Sequence, residues 1–260
     1  MAKIASPLFI LREECAADLY GALEKIAAIG FGGAEFVGLF GKPAAEIKKR
    51  MDDFGLTPLG CHVPFDSLSL ETEKKLTELA ALGCPFVTIG PPGEDGLPGA
   101  ENYGASVAAF NRIGAETKKY GMRLLFHNHA GELKLTASGK TILEYLMDDT
   151  DPELVSLEPD LGWIKIGGAD PAYYLKKYAG RCPVVHFKDY FPDGAANGEF
   201  VFRPTGYGVM NSAELYAECL AMSPRPEWYV TDHDCSYERD PYFDLRLSYD
   251  YFKNLTEVAG

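Results

Sequence analysis

The 260 residues predict a (β/α)8 TIM barrel forming a single domain over 1–260. Three observations carry that reading. Amphipathic helical stretches end again and again in a glycine followed at once by a short apolar run. The apolar runs number eight, which is the count that closes a parallel sheet into a barrel. No glycine-rich phosphate fingerprint follows the first run, as it would in an open dinucleotide-binding sheet.

In order, "KIASPLFIL" is the first strand, and "DLYGALEKIAAIG" is a helix closed by Gly30 ahead of the second strand, "GAEFVG". "AAEIKKRMDDFG" closes at Gly55 before "LTPLGCH", "ETEKKLTELAALG" at Gly83 before "CPFVTIG", and "NRIGAETKKYG" at Gly121 before "MRLLFHNH". Glycine beyond the last turn supplies the left-handed residue that stops a helix. "ELVSLEPD" is the sixth strand, and "DPAYYLKKYAG" is a helix closed at Gly180 before the seventh, "RCPVVHFKD". "EWYVTDHD" is the eighth. Asp170-Pro171 and Asp240-Pro241 each set a capping carboxylate before a proline at the first helical position. Two connections, "GPPGEDGLPGAEN" and "YFPDGAANGEFVFRPTGYGVMN", are long, and both leave the carboxyl ends of strands, where barrels build their sites. The first reads equally as a plain surface loop. The aromatic content of the second (Tyr190, Phe191, Phe200, Phe202, Tyr207) predicts a folded cover.

Composition narrows the function classes. The opening "MAKIASPLFILREE" has an apolar run too short and too soon charged for a signal peptide or a spanning helix, so a cytoplasmic chain without membrane contact is expected. The six cysteines form no C-x-x-C pair, which argues against a zinc knuckle and predicts buried reduced thiols. A net charge of −13 repels polyanions, and the short basic runs all lie in helices that also carry acids, so no nucleic-acid partner is expected.

The five histidines, at 62, 127, 129, 186 and 233, each fall at the carboxyl end of a predicted strand, which places all five on one rim. Residues two apart on a strand share a face. Leu125, His127 and His129 share one, and Glu158 with Asp160, His186 with Lys188, and Asp232 with Asp234 repeat the spacing. That parity turns His127, Asp160, His186 and Asp232 inward at the barrel mouth. Nitrogen and oxygen donors converging from four strands describe a divalent-metal site. A metal-free hydrogen-bonded network is the other arrangement the spacing allows.

The segments "GFGGAEFVGLFGKPAAEIKK", "GCHVPFDSL", "LLFHNHAGEL", "LEPDLGWIKIGGADPAYYLKKYAGRCPVVHFKDY" and "WYVTDHDCSYERDPYFDLRLSYDYFKNL" cover nearly the whole chain. Together they resemble the sugar phosphate isomerase/epimerase family of xylose isomerase-like barrels, in the branch that includes inosose dehydratase. The resemblance implies a divalent metal (Mn, Co, Zn or Mg) held by two glutamates, an aspartate and a histidine at the ends of strands five to eight. Asp160 and His186 match that pattern. His127 stands where relatives carry the strand-five glutamate, and Asp232 replaces the strand-eight glutamate with a reach about 1.5 Å shorter, against a bond tolerance of about 0.2 Å. Tyr207 in "TGYG" stands where relatives carry an acid.

A metal in such a mouth implies enolisation of a keto sugar or inosose: the metal holds the carbonyl and a base removes the α-proton, giving an enediolate. Glu158, His129 and Glu35 are the candidate bases and Lys188 a candidate catalytic donor. His62, Trp163, Asn128 and Arg203 are candidate substrate contacts, with Arg203 and Arg239 able to meet an anion. Without a clear phosphate cradle, an unphosphorylated substrate is expected. The primary expectation is a metal-dependent isomerase/epimerase. Dehydratase or lyase chemistry on an inosose or 3-keto-glycoside is the alternative, and a degenerate metal-free sugar-binding barrel is the alternative of another class. The expected partner is a small sugar or cyclitol, with a homo-oligomer or a partner subunit left open.

Overall fold

Helix α1 (Arg12–Ile29) buries Cys15, Leu19, Ala22, Leu23, Ile26 and Ile29, the three- and four-residue spacing of a helix laid on a sheet. It stops at Gly30, whose φ of 119° lets its N–H turn back to the Ile26 and Ala27 carbonyls. The same device ends α2 (Ala44–Phe54) at Gly55 and α4 (Thr72–Leu82) at Gly83, while α3 (Phe65–Leu70) ends at Glu71. Gly121 and Gly180 lie just past the last turns of α5 (Tyr103–Lys119) and α8 (Pro171–Lys177), again with positive φ. Capping carboxylates act where they were expected: Asp170 accepts from Ala172 N at the start of α8, and Asp240 from Tyr242 N at the start of α10 (Pro241–Ala259). The computed structural model describes residues 2–192 and 200–259.

The strands are β1 (Lys3–Pro7), β2 (Gly33–Phe36), β3 (Thr57–Val63), β4 (Phe86–Ile89), β5 (Arg123–His127), β6 (Val155–Glu158), β7 (Val184–Pro192), β8 (Phe200–Arg203) and β9 (Trp228–Asp232). β1 to β6 pair in parallel in chain order, β1 also pairs with β9, and β9 with β7. A parallel bridge between Asp160 and His186, with His186 N donating to the Pro159 carbonyl at 3.0 Å, brings β7 back to β6 and closes the ring. All eight expected strands are present. The helices α6 (Ile142–Asp149), α7 (Leu161–Ile166) and α9 (Ser212–Ala221) complete the outer layer.

Strand pleating separates two cores. Leu124, Phe126, Val185, Phe187 and Tyr229 point outward into the layer beneath the helices. Ala5, Leu59, Phe86, Leu125, Val184, Trp228 and Val230 point inward and fill the barrel. Each large side chain there gains about 1.5–3 kcal/mol by leaving water. This hydrocarbon floor stabilises the barrel from below, and the chemistry-bearing residues sit on top of it.

The connection after the seventh strand differs from a loop. β7 runs past the barrel and pairs antiparallel with β8, Asp189 opposite Arg203 and Pro192 opposite Phe200. The expected cover is therefore a β-hairpin arm, and its 193–199 portion lies outside the described residues. Behind it the buried Asp189 carboxylate accepts from the N–H groups of Gly206, Gly208 and Met210 at 3.0 Å each, which pins the following turn. Tyr207 in that turn is half exposed and packs towards Tyr251. Five of the six cysteines are buried and all six are free thiols. Among the described residues no helix is long and apolar enough to cross a membrane.

Candidate active site

The last inward position of strand after strand converges on the barrel mouth. β2 contributes Glu35, β3 His62, β4 Thr88, β5 His127, β6 Glu158, β7 His186 and Lys188, and β9 Asp232, with Asp160 and Asp234 just past their strands. The register makes neighbours of His127 and Glu158, and of Lys188 and Asp232. Glu158 Oε2 is 3.2 Å from His127 Nδ1, 3.5 Å from His62 Nε2 and 3.7 Å from His186 Nε2. Glu35 Oε2 approaches His186 Nε2 at 3.0 Å and His62 Nε2 at 3.1 Å.

Beside this nest lies a second one centred on an ammonium. Lys188 is 1 % exposed, 2.8 Å from Asp232 Oδ2, 3.3 Å from Asp160 Oδ2, and bonded to Asp234. Its Nζ also sits 5.3 Å from the ring centroids of both Trp163 and Phe202, so aromatic faces complete its desolvated setting. Asp160 is held in turn by Trp163 N, which donates to Oδ1 at 2.9 Å, and by Asn128, whose amide brackets the Asp160 backbone.

Buried polar atoms normally find partners, because an unmade bond costs about 1–3 kcal/mol. Here Glu35 Oε1, His127 Nδ1, Glu158 Oε2, Asp160 Oδ2, His186 Nε2 and Asp232 Oδ1 are all buried without a hydrogen bond. The imidazole and carboxylate atoms are close together but misaligned for bonding to one another. Two groups have donor atoms within 4.8 Å of one another, as a metal ion requires: His62, His127, Glu158 and His186, and Asp160, His186 and Asp232. The donor set and its orphaned atoms fit a divalent cation.

The electrostatics point the same way. Five carboxylates, of Glu35, Glu158, Asp160, Asp232 and Asp234, face one ammonium. Burial and the charge of Glu35 push the Glu158 carboxyl up to about 7. Burial pushes Asp160 up to about 6, against the pull of Lys188. Burial works against charge on His186, yet Glu35 and Glu158 hold it protonated well above the usual histidine range. The surplus negative charge is met by protons or by a cation. His127 goes the other way: burial and the neighbouring His186 keep it neutral. Lys188 stays charged despite burial because Asp160, Asp232 and Asp234 surround it.

Above the nests opens a cavity of about 350 Å³ lined by Glu35, His62, His127, His129, His186, Lys188, Asp232 and Asp234, with Pro7, Leu8, Phe9 and Val63 as its apolar wall. That is a volume suited to a small molecule. Most of the expected site residues meet here. Glu158 lies behind the histidines, fully buried, and is not part of the cavity wall. Asn128 braces Asp160. Trp163 flanks His129 and Lys188, 5.8 and 5.3 Å away. Arg203, expected as a substrate contact, lies on the hairpin with its guanidinium over Phe191 and does not line the cavity.

The expectation that all five histidines share one rim is corrected. His233 follows Asp232 by one residue and so takes the opposite parity, turning outward to Asp244 Oδ2 at 3.6 Å. Two features escape a reading of the residues alone. Asp234 is a third partner of Lys188, and its two-residue spacing from Asp232 is the signal that points to it. Arg12 donates to the carbonyls of Phe9 and Asp234, tying the lip after β1 to the end of β9. Nothing in its local sequence marks it.

Comparison with known proteins agrees with this architecture. The family model described as xylose isomerase-like TIM barrel matches residues 23–222. Inosose dehydratase of Bacillus cereus (strain AH820) is 31% identical over 156 residues, 54% of this chain and 49% of that protein. The chain thus spans about half the length of the curated relatives it matches. A sugar phosphate isomerase/epimerase from Parabacteroides distasonis ATCC 8503 superposes with a TM-score of 0.78 at 22% identity, covering 96% of this chain and 93% of that one. The probable 3-DHS dehydratase AsbF from Bacillus anthracis superposes at 0.73 and 14% identity, covering 96% and 98%. These two likenesses speak to the fold. The family match extends over most of the chain, from within α1 to the end of α9, and the chain belongs to the xylose isomerase-like TIM barrel family.

Proposed function

We propose that this protein is a divalent-metal-dependent enzyme of the isomerase/epimerase type that enolises an unphosphorylated keto sugar or inosose. The observation that carries the reading is the set of orphaned, buried imidazole and carboxylate atoms beneath a cavity of small-molecule size, beside a buried ammonium. The donors that would hold the cation lie among His62, His127, Glu158, Asp160, His186 and Asp232. When bound, the cation supplies Lewis-acid stabilisation of the charge that develops on the carbonyl oxygen.

The chain's own groups divide the remaining work. Lys188, permanently charged, donates to a substrate oxygen. Glu35 takes the α-proton: it lines the cavity, with Oε2 3.0 Å from His186 Nε2 and 3.1 Å from His62 Nε2. His129 stands on the wall, half exposed to solvent, and offers its imidazole as a second proton acceptor. Acceptors in two places suit return of the proton to a different face or a neighbouring carbon, and such groups contribute about 10²–10⁴-fold. Phe9, Leu8 and Pro7 exclude water from the opposite side.

A second reading is favoured by the relatives named inosose dehydratase: the same enediolate loses a β-hydroxyl and water leaves. One experiment separates the readings. The protein is loaded with Mn, Co, Zn or Mg and incubated in D2O with unphosphorylated keto sugars and inososes under NMR. Deuterium entering beside the carbonyl together with a new epimer or isomer supports the first reading, and loss of water supports the second. Absence of exchange on every substrate with every metal overturns both and leaves a sugar-binding barrel.

A further inference from the structure

Arg12 opens α1 outside the mouth and does not line the cavity, yet it holds two residues that do. We propose that Arg12 is a positioning residue for the reaction: it sets the distance across the cavity between the Phe9 wall and the Lys188 donor. The inference rests on the enolisation reading above, in which Lys188 meets a substrate oxygen and Phe9 shields the other side.

The course of the chain leaves both sides in need of a tether. Phe9 falls two residues beyond β1 and Asp234 two residues beyond β9, where the parallel pairing of those strands has ended. Past the last ladder bond, a backbone carbonyl keeps only the partners that other groups bring to it. Here one nitrogen serves both. Arg12 Nη1 donates to the Phe9 carbonyl at 2.9 Å and to the Asp234 carbonyl, 222 residues away along the chain, at 3.1 Å. The Arg12 backbone N–H gives the Phe9 carbonyl a second donor at 3.2 Å.

Each carbonyl leads to a group that faces substrate. The Asp234 carboxylate is bonded to the buried Lys188 ammonium, so a shift of the Asp234 backbone is felt at the donor. Phe9 is 41 % exposed, and the Arg12 guanidinium lies over its ring, 4.7 Å from the centroid. That contact occupies one face of the ring, and the remainder forms cavity wall. A guanidinium can do both jobs at once because its N–H groups lie in a rigid plane whose faces stay free to stack. A lysine ammonium can reach a carbonyl but has no flat face for Phe9. Placement matters at this scale, since a misplacement of about 1 Å costs about 10²-fold in rate.

The test compares Arg12→Ala and Arg12→Lys with wild type in the deuterium-exchange assay, by urea unfolding and by crystallography. Arg12→Ala is expected to lower kcat by about tenfold to 10²-fold with a urea midpoint close to wild type, because the bonds lost lie at the exposed lip. Added ethylguanidinium is expected to restore part of that loss and ethylammonium none, and Arg12→Lys to recover only part. The crystal structure of Arg12→Ala is expected to show the Phe9 ring and the Asp234 carboxylate displaced by about 1 Å. A kcat within about twofold of wild type, equal rescue by the two cations, or a fall in the urea midpoint with Phe9 and Asp234 unmoved overturns the positioning role and leaves enolisation standing. A wild-type protein that exchanges no deuterium on any substrate overturns both.

Discussion

His186 and His233 are both buried at the ends of adjacent strands, each within reach of a carboxylate, and they do opposite jobs. His186 faces Glu35, Glu158 and Asp232 inside the mouth, where four carboxylate oxygens have no hydrogen bond. His233 faces Asp244 outside it, and there both carboxylate oxygens accept from Arg239 at 2.8–3.1 Å. Asp244 also sits in the first turn of α10, where the helix dipole favours an anion. Apart from His233 Nδ1, the outer group has its bonds made. Residue type therefore does not separate function from structure; the completeness of the bonding does. The inner cluster is held in an unfavourable state by the barrel around it, and the outer one contributes to holding it there.

This contrast predicts that substituting an inner group costs activity, and that substituting a group whose bonds are made, inside or outside the mouth, costs stability. Lys188→Met should do the most damage, because Lys188 is the inner group whose bonds are made. It is expected to abolish turnover and to cost about 3–5 kcal/mol by leaving three aspartates facing one another, read from urea unfolding. Stability unchanged in that variant would break the comparison. Glu35→Gln should lower kcat/KM in the deuterium-exchange assay by about 10²–10⁴-fold.

Outside the mouth the signs reverse. Asp244→Asn should cost about 2–3 kcal/mol by uncoupling Arg239 and His233, with kcat/KM unchanged. Glu144 sharpens the case. It closes a capping box with Thr141 and accepts from Lys177 at 2.7 Å and Tyr173 at 2.9 Å. Burial opposes its ionisation, but those partners lower its carboxyl to about 2. A depressed folded-state value stabilises the protein above the unfolded glutamate value of about 4.3, and that contribution is lost as pH falls from there towards about 2. Glu144→Gln should cost roughly 1–2 kcal/mol at pH 7 and flatten the pH dependence of the urea midpoint between about pH 5 and 2. The smallest effect belongs to Arg203→Ala, expected to move KM for an unphosphorylated substrate by less than about twofold, since Arg203 packs on Phe191 away from the cavity. A large KM increase would bring the hairpin into the site.

Much of this was legible in the chain. Glycine after each amphipathic stretch marks helix ends by local backbone sterics, and two-residue spacing marks the inward face of a strand; neither depends on distant residues. That is why the barrel and the convergence of Glu35, His62, His127, His186, Lys188 and Asp232 on one cavity were readable. The hairpin of β7 and β8 was less so. Its strands pair with each other beyond the barrel, and the Asp193-Gly194 and Asn197-Gly198 dipeptides between them read as part of one long connection, not as the turn of a hairpin.

By itself the sequence determined which elements form, their order, and which side chains share a face, because φ/ψ preferences and periodicity act within a few residues. Only the tertiary structure decided the bonding state of each group. Whether Asp160 is claimed by Lys188, whether Glu158 is left beneath three imidazoles, and whether His233 turns to α10 depend on atoms from separate elements meeting within about 3–4 Å, the range over which hydrogen bonds and ion contacts act. At that range parity narrows the choices, and packing across the closed ring makes them.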